Sequence, residues 1–324
     1  MNTSPDKVME LEAAVKLFVP DGAHLSIGGF TCNRNPMAAV YEIIRQKKKN
    51  LHLYAHSNGQ GVDELVGAGC IARIEIAYAG TGRFAPTCIR FRKAVENKSI
   101  LFEDYSNYQM TLRFMAGAMG VPFLPTRSSL GTDIIHRWGF SKELRQAEQL
   151  IPDHKLVVME NPFGGWADTE RVVLVPAIRP DVTLIHAQQA AADGTARLMG
   201  LTFADVEQAK AAKHVILTCE DLVAPDELRS HPEHNQIPAI IVDAVVPVRY
   251  GAYPTACYRY YDYDPLFLSD YRTAAMDDER FATYLEQWVY RKKDHSERIA
   301  QVGNERLTSI QADPRTGYAT GLRR

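Results

Sequence analysis

The regular alternation of short apolar strand patterns with amphipathic helix patterns constrains this chain most. Residues 11–18 place apolar side chains at helical spacing, and PDGAHLSIGGF then indicates a turn, a short strand and a glycine loop. Apolar positions in 37–44 again fit a 3.6-residue period, and 51–54 is a further strand pattern. Because parallel strands need crossover connections, this order predicts an α/β fold with a mainly parallel open sheet flanked by helices.

The alternation continues with a strand at 71–78, a helix at 88–96, a strand at 100–103 and a helix at 108–119. Later strands are predicted at 156–159, 172–175, 182–185, 215–218 and 240–246. The polar segment 127–153 is predicted to leave the sheet. Residues from about 255 to 324 form a C-terminal extension with a tyrosine cluster and a helical stretch at 277–302. We expect 1–324 to be one domain.

The charge and cysteine content disfavour several classes of partner. Lysine and arginine number 37 against 39 acidic residues, for a net charge of -2, so no overall field favours nucleic acid or an anionic membrane. The five cysteines are widely spaced without a CxxC pair, which indicates a reducing compartment and no metal site. We find no secretory signal pattern and no apolar stretch of membrane-spanning length. The sequence therefore predicts a cytoplasmic protein.

Two polar or glycine-rich segments follow predicted strands. Gly28 and Gly29 precede Phe30 between a strand and a helix, where exposed backbone N–H groups can approach an oxyanion or a phosphate. The loop lacks the GxGxxG spacing of dinucleotide-binding proteins and the GKS or GKT ending of a P-loop. Ser57 and Asn58 lie in HSNGQG at the carboxyl end of the next strand, where open α/β sheets bind ligands. An ordinary tight turn and a solvated loop remain the alternatives.

Three other segments carry reactive side chains. Arg127 and Ser128 follow the proline-stiffened PFLPT, and the planar guanidinium suits a carboxylate or a phosphate. His186 has no triad-like partner in the sequence and is predicted to be a hydrogen-bonded structural histidine. Glu160 in ENPFGG has the chemistry of a nucleophile beside glycines, but we favour a loop role.

Several segments together resemble the A subunit of glutaconate CoA-transferase, a family I coenzyme A transferase. They are GGFTCNRNPMAAVYEIIRQ, FEDYSNYQM, GVPFLPTR, IHAQQAAADGT and YGAYPTACYRYYDYDPLFL, and the resemblance covers about 11–317 in the same order. It implies a helix-flanked sheet of the coenzyme A transferase type and a partner B subunit of similar fold. In this family the acyl-CoA is attacked by a glutamate of the B subunit, which forms a glutamyl-CoA thioester. The resemblance therefore places no catalytic nucleophile in this chain.

The resemblance also implies what this chain supplies. Gly28, Gly29 and Phe30 would position the thioester carbonyl, and a set of polar side chains would orient carboxylate or CoA groups. That set is Ser57, Asn58, Arg127 and Ser128. No metal or redox cofactor is implied, since the CoA thioester is the substrate. Paired A and B subunits, as a heterodimer, an A2B2 tetramer or a larger assembly, are expected.

The arginine at 127 departs from the glutaconate enzyme and leaves a second function open. Related A subunits with arginine there include CoA-dependent ring-opening hydrolases of steroid breakdown. A hydrolase or decarboxylase acting on a CoA thioester is therefore the main alternative to a transferase. A non-catalytic acyl-CoA sensor is a third, although we find no helix-turn-helix segment with a basic face. The sequence does not identify the carboxylic acid, and glutaconate or a related dicarboxylate is the leading candidate for the acceptor.

Overall fold

A computed structural model describes residues 6–163 and 170–322 of the chain. It contains a large sheet, a small separate sheet and helices around both. The strands are β1 (His24–Ile27), β2 (Leu51–Asn58), β3 (Ile71–Ala79), β4 (Leu101–Asp104), β5 (Phe123–Thr126), β6 (Val157–Glu160), β7 (Arg171–Pro176), β8 (Val182–Ala190), β9 (Ala196–Arg197), β10 (His214–Leu222) and β11 (Ala244–Pro247).

The helices fall between and after these strands. They are α1 (Leu11–Phe18), α2 (Met37–Arg45), α3 (Gln60–Gly67), α4 (Ile89–Glu96), α5 (Asn107–Met119), α6 (Lys142–Ala147), α7 (Asp205–Ala211), α8 (Pro225–Arg229), α9 (Pro265–Ala275), α10 (Asp278–Leu285), α11 (His295–Val302) and α12 (Asn304–Ser309). Short 3₁₀ turns occur at Asp133–Ile135, Pro232–His234 and Ala239–Ile241, and a π-helical turn at Glu286–Tyr290. No described helix has the length and apolar content needed to cross a bilayer.

The large sheet has the order β11-β10-β8-β1-β2-β3-β4, and these neighbours are all parallel. The predicted mainly parallel α/β fold is confirmed. From β1 the chain runs outwards through β2, β3 and β4, and the later strands fill the other side. The order therefore reverses between β1 and β8, and such a switch point is where open sheets bind ligands.

Strand β1 is shorter than both of its neighbours, which leaves a notch at the carboxyl edge of the sheet. Ile27, its last residue, lies opposite Leu184, and β8 continues from there to Ala190. On the other side Ser26 lies opposite Tyr54, and β2 continues to Asn58. The glycine loop leaves β1 inside this notch.

Both faces of β1 are buried, so its apolar side chains pack in the core and its polar side chains need hydrogen-bond partners. Leu25 and Ile27 belong to the core shared with α1, α2 and α3. Ser26 points to the other layer, where Gln208 of α7 donates a hydrogen bond to its Oγ at 2.8 Å. As expected of a parallel strand covered on both faces, all four residues of β1 are buried.

The predicted strands at 156–159 and 172–175 exist but do not join the large sheet. They are β6 and β7, which pair antiparallel with each other and with β5 in the order β5-β7-β6. Ala177 N–H donates to the Pro122 carbonyl at 3.0 Å, so the segment 123–176 leaves and rejoins the chain at one place. It contains the predicted excursion 127–153.

A buried ion pair and a backbone hydrogen bond hold this excursion against the edge of the large sheet. The Arg145 guanidinium bonds the Glu103 carboxylate of β4, and both side chains are almost fully buried. The Gly139 N–H donates to Glu103 Oε1 at 3.1 Å. Lys155, just beyond this segment, donates to Oδ1 of the half-exposed Asp104 at 3.1 Å. The Glu103 carboxylate of β4 therefore holds the segment 127–153 against the edge of the large sheet.

The C-terminal extension packs into the core of its own chain. Tyr253, Tyr261 and Tyr271 are at most 4% exposed. The Tyr261 hydroxyl donates to Glu220 Oε1 at 2.5 Å, and the backbone N–H groups of Tyr250 and Gly251 also donate to this carboxylate. The helical prediction for 277–302 is partly wrong, because α10 and the π-helical turn end before a break at 292–294 and α11 then begins.

Candidate functional site at the notch

The glycine loop after β1 lies at the notch, as the sequence predicts. Its backbone N–H groups, however, already have partners within the chain. Gly28 donates to the Leu184 carbonyl at 2.9 Å, and Phe30 donates to the Asn33 carbonyl at 2.8 Å. Gly29 donates to Asp205 Oδ1 at 2.8 Å. The expectation that these groups are exposed donors for an oxyanion is therefore wrong for this structure, because neighbouring strands and side chains use them.

Glycine is needed in this loop for two separate reasons. Gly29 has φ +85°, and a Cβ there would lie 2.6 Å from the Arg34 carbonyl oxygen. A Cβ at Gly28 would lie 2.9 Å from Ile185 Cδ1 and 3.0 Å from Asp205 Oδ1. Gly29 therefore lets the loop turn tightly on itself, and Gly28 lets it pack closely against β8 and α7.

Ser57 and Asn58 belong to β2, not to a loop after it, because backbone pairing with β3 continues to Ala79. Both side chains are fully buried. Ser57 Oγ donates to Asn107 Oδ1 at 2.5 Å. Asn58 Nδ2 donates to the Gly28 carbonyl at 2.9 Å. These two residues hold the loops around the notch together, and direct contact with a ligand remains a prediction.

Aromatic rings line the notch beside the glycine loop. The rings of Phe30 and Phe203 stack with centroids 4.4 Å apart and planes within 8°. The His56 ring lies 5.9 Å from Phe30. Burial lowers the pKa of His56, so the imidazole is neutral at pH 7. Phe203 also lines a cavity of about 300 Å³ with Leu201. The notch therefore offers an apolar surface to a bound group.

Arg127 and Ser128 directly follow β5 of the small sheet and take no part in the notch hydrogen bonds described above. Ser128 N–H donates to Thr126 Oγ1 at 3.0 Å, just after β5. Arg127 lines a groove of about 570 Å³ whose walls are mostly apolar. The apolar lining residues are Phe123, Pro125, Met159, Pro162, Phe163, Val172 and Leu174. The seven predicted site residues thus fall into two groups, one at the notch and one at this groove.

Glu160 and His186 differ in their surroundings. Glu160 is exposed at the end of β6 opposite Arg171, so it is a strand residue and not part of a loop. Gly164 and Gly165 of the same motif lie outside the described residues. His186 is fully buried within β8, and its ring nitrogens lie 2.8 Å from Thr218 Oγ1 and 2.9 Å from Glu220 Oε1. The prediction of a hydrogen-bonded structural histidine is confirmed.

His186, Glu220 and Cys257 are close enough to hold a metal ion, since one ligand atom of each lies within 4.8 Å of the others. Burial raises the pKa of the Cys257 thiol well above its usual value, which disfavours a thiolate ligand. Glu220 already accepts hydrogen bonds from Tyr261 and from two backbone N–H groups. This donor set therefore suits an internal hydrogen-bond network better than a metal.

Sequence reasoning missed Asp205, Arg34 and Phe203. Arg34 Nη2 lies 2.9 Å from Asp205 Oδ2, and both side chains are at most 4% exposed. Asp205 and Gly29 are 176 positions apart in the chain. A lone aspartate at the start of a short helix carries no local signal of such a contact.

The coenzyme A transferase family model matches residues 8–247 of this chain. The chain belongs to this family. It is 40% identical over 312 residues to the A subunit of glutaconate CoA-transferase from Acidaminococcus fermentans, covering 96% of this chain and 97% of that protein. The crystal structure of glutaconate coenzyme A-transferase from Acidaminococcus fermentans superposes with a TM-score of 0.92 at 39% identity, covering 97% of this chain and 98% of that one.

Two other relatives widen the comparison. The A subunit of 3-oxoadipate CoA-transferase from Pseudomonas knackmussii is 32% identical over 299 residues, covering 91% of this chain and 98% of that protein. The crystal structure of a variant of the decarboxylase AibA/AibB superposes with a TM-score of 0.67 at 32% identity, covering 86% of this chain and 97% of that one. The names of the two transferases designate A subunits, which implies a second subunit in those enzymes.

Proposed function

We propose that this chain is the A subunit of a two-subunit enzyme that moves CoA from an acyl-CoA to a carboxylic acid in the cytoplasm. Similarity over nearly the whole chain to the A subunits of two CoA-transferases is the observation that carries this proposal. Glutaconate or a related dicarboxylate is the leading acceptor. All five cysteines are free thiols in the structure, which suits a reducing compartment.

The nucleophile belongs, in this proposal, to a partner B subunit. Its glutamate carboxylate attacks the thioester carbonyl, and the CoA thiolate leaves to give a mixed anhydride. The thiolate then attacks the glutamyl carbonyl and releases the first acid as its carboxylate. The acceptor carboxylate then attacks the glutamyl-CoA thioester, which gives a second mixed anhydride and releases the CoA thiolate. The thiolate attacks the acceptor's acyl carbonyl, so the new acyl-CoA leaves and the glutamate carboxylate is regenerated.

The carboxylates described in this chain support a nucleophile from outside. Asp205 touches the glycine loop but is fully buried and bonded to Gly29 and Arg34, so it cannot approach a thioester. Glu160 is exposed on the small sheet, whereas the glycine loop leaves the large sheet. Gly28, Gly29 and Phe30 would then shape one wall of a site that the B subunit completes.

The direct test is acyl-CoA-dependent inactivation by hydroxylamine of the complex purified from its native host through a tag on this chain. Hydroxylamine cleaves an enzyme-bound glutamyl thioester and leaves a hydroxamate. Loss of activity only after preincubation with acyl-CoA, with the modified glutamate on a copurifying chain, is the expected result. Modification of Glu160 instead would overturn the assignment of the nucleophile to a partner.

A hydrolase or decarboxylase acting on a CoA thioester is the second candidate, and the similarity to the decarboxylase AibA/AibB favours it specifically. In that case hydroxylamine does not inactivate the complex after preincubation with acyl-CoA. Free CoA or carbon dioxide is then released without any acceptor acid. The same purified complex therefore separates the two reactions. A complex that binds acyl-CoA without turnover would instead indicate a sensor.

A further inference from the structure

Three residues with strained backbone surround the notch. Thr31, Arg34 and Phe203 have φ values of +50°, +46° and +51°, in the left-handed region that side-chain-bearing residues rarely adopt. Such conformations persist only where the surrounding contacts determine them, and they concentrate at functional sites. Two of the three lie in the glycine loop, and the third lies in the segment that precedes α7.

A single carboxylate connects these two segments. Asp205 Oδ1 accepts the Gly29 N–H at 2.8 Å, and Asp205 Oδ2 lies 2.9 Å from Arg34 Nη2. The same Arg34 nitrogen donates to the Leu201 carbonyl at 3.0 Å. Because the Asp205 side chain is fully buried, water does not compete for these bonds. The charge-assisted contacts therefore fix the loop 28–34 against the segment 199–205 across the switch point.

We propose that Asp205 is a positioning residue of the acyl site. It holds the glycine loop, and with it the stacked Phe30 and Phe203 rings, in the conformation that acyl transfer requires. Asp205 acts through Gly29 and Arg34 and does not touch the substrate. This inference rests on the proposed function, because it assumes that the notch binds the acyl-CoA.

The chain offers a matched control at the other end of the same strand. Asp181 Oδ2 accepts the His24 N–H at 2.9 Å, so it also joins a carboxylate to a backbone group of β1. His24 is the first residue of β1, whereas Gly29 follows its carboxyl end. Removing Asp181 therefore costs one part-buried bond to β1 at the edge of the sheet opposite the notch.

The experiment compares Asp205→Ala, Asp205→Asn and Asp181→Ala in the tagged complex with its partner subunit. Steady-state kinetics with acyl-CoA and acceptor acid give kcat and KM, and hydrogen exchange of peptides covering 28–34 reports the loop directly. Misplacement of the loop by about 1 Å is expected to lower kcat about 100-fold for Asp205→Ala. KM should change little, since the residue makes no contact with substrate.

The asparagine variant distinguishes positioning from general loss of structure. Its Oδ1 can still accept the Gly29 N–H, while the amide loses the charge that pairs with Arg34. We expect its kcat to lie between those of the wild type and the alanine variant, with exchange of 28–34 less accelerated. If the alanine variant does not fold, this variant carries the test.

Two results would overturn the proposal. One is faster exchange of 28–34 in Asp205→Ala with an unchanged kcat, and the other is an equal loss of kcat in Asp181→Ala. If the wild-type complex shows no CoA transfer, the proposed transferase function fails by itself. The same variants are then compared on the hydrolysis or decarboxylation that the complex catalyses, and an unchanged rate in Asp205→Ala would again count against positioning.

Discussion

The Tyr284 hydroxyl donates a hydrogen bond to Glu64 Oε1 at 2.8 Å and thereby joins α10 of the C-terminal extension to α3. Tyr41 and Gln60 donate to the same oxygen, while Glu64 Oε2 has no partner among the described residues. Burial raises the pKa of Glu64 to about 7, against the opposing effect of these hydrogen bonds. Between about pH 4.5 and pH 7, the native state therefore retains a proton on Glu64 that the unfolded chain releases.

This proton makes stability depend on pH. The contribution of protonated Glu64 to the free energy of unfolding is fully present below the unfolded pKa of 4.5. It is lost as the pH rises through about 7, the pKa in the folded state. We expect Glu64 to reduce the free energy of unfolding by about 2 kcal/mol between pH 5 and pH 8, as measured by urea denaturation. Glu64→Gln should remove this part of the pH dependence. Glu279→Gln, an exposed change on α10, is the control, and an unaltered slope in Glu64→Gln would contradict the assignment.

The buried pair of Glu75 and Arg113 should respond strongly to loss of one partner. Both side chains are 1% exposed, and Arg113 holds the pKa of the Glu75 carboxyl below its usual range against burial, which acts to raise it. Arg113→Met leaves the carboxylate without its cation, so we expect the free energy of unfolding to fall by about 3–5 kcal/mol. Arg92→Met breaks an exposed pair with Glu96 and should change the unfolding midpoint little. Equal effects of the two changes would be inconsistent with a buried charge.

A side chain at Gly59 should be destabilising, because this residue lies where three loops meet. A Cβ there would lie 2.6 Å from the Gly80 carbonyl oxygen and 2.8 Å from that of Thr31. We expect Gly59→Ala to lower stability by about 1–3 kcal/mol through overpacking, measured by thermal unfolding. A Cβ at the neighbouring Gly61 would meet no atom nearer than 3.2 Å, so Gly61→Ala should lower stability less. The reverse order would show that the loops around Gly59 can move apart.

Tyr261 anchors the C-terminal extension to the large sheet. Its hydroxyl donates to Glu220 and accepts the Ala252 N–H at 3.0 Å. Tyr261→Phe leaves both groups buried without this partner, so we expect a loss of about 1–3 kcal/mol in the free energy of unfolding. Tyr260→Phe removes a single, less buried bond to Asp221 and should cost less. Similar losses in both variants would argue against the role of Glu220 as the anchor.

Chelators should leave the purified chain unchanged. His186 and Glu220 are hydrogen-bonded to each other, and burial raises the pKa of the nearby Cys257 thiol. We expect treatment with EDTA to leave the melting temperature unaltered and elemental analysis to find no stoichiometric transition metal. A lower melting temperature that zinc restores would place a metal in this cluster.

The regular part of the fold was predictable because its signals are local. The patterns of β1 to β4 and of the helices α1, α2, α4 and α5 lie in consecutive windows of sequence, and the structure reproduces their order. The ends of β2 and β8 were not predictable, because polar residues such as Ser57 and Gln188 continue each strand by pairing with a neighbour. The sheet to which β6 and β7 belong was missed for the same reason, since strand pairing is a tertiary property.

The candidate site was predictable in position but not in detail. Strand ends and glycines locate the loop at Gly28 and Gly29, since parallel strands place their carboxyl ends at one edge. The partner of the Gly29 N–H was not predictable, because Asp205 approaches it only after β8 and α7 have packed. The sequence therefore indicates where the glycine loop lies in the sheet, and not which of its backbone donors are already used.

The buried contact between Glu103 and Arg145 has a consequence for how relatives of this chain can diverge. The hydrogen bond from Ala177 to Pro122 closes the segment 123–176 at its base, so evolution can lengthen, shorten or replace it without re-threading the large sheet. A replacement that lacks Arg145 would leave Glu103 charged and buried at the sheet edge. Positions 103 and 145 should therefore covary among homologues, with loss of the acid accompanying loss of the cation.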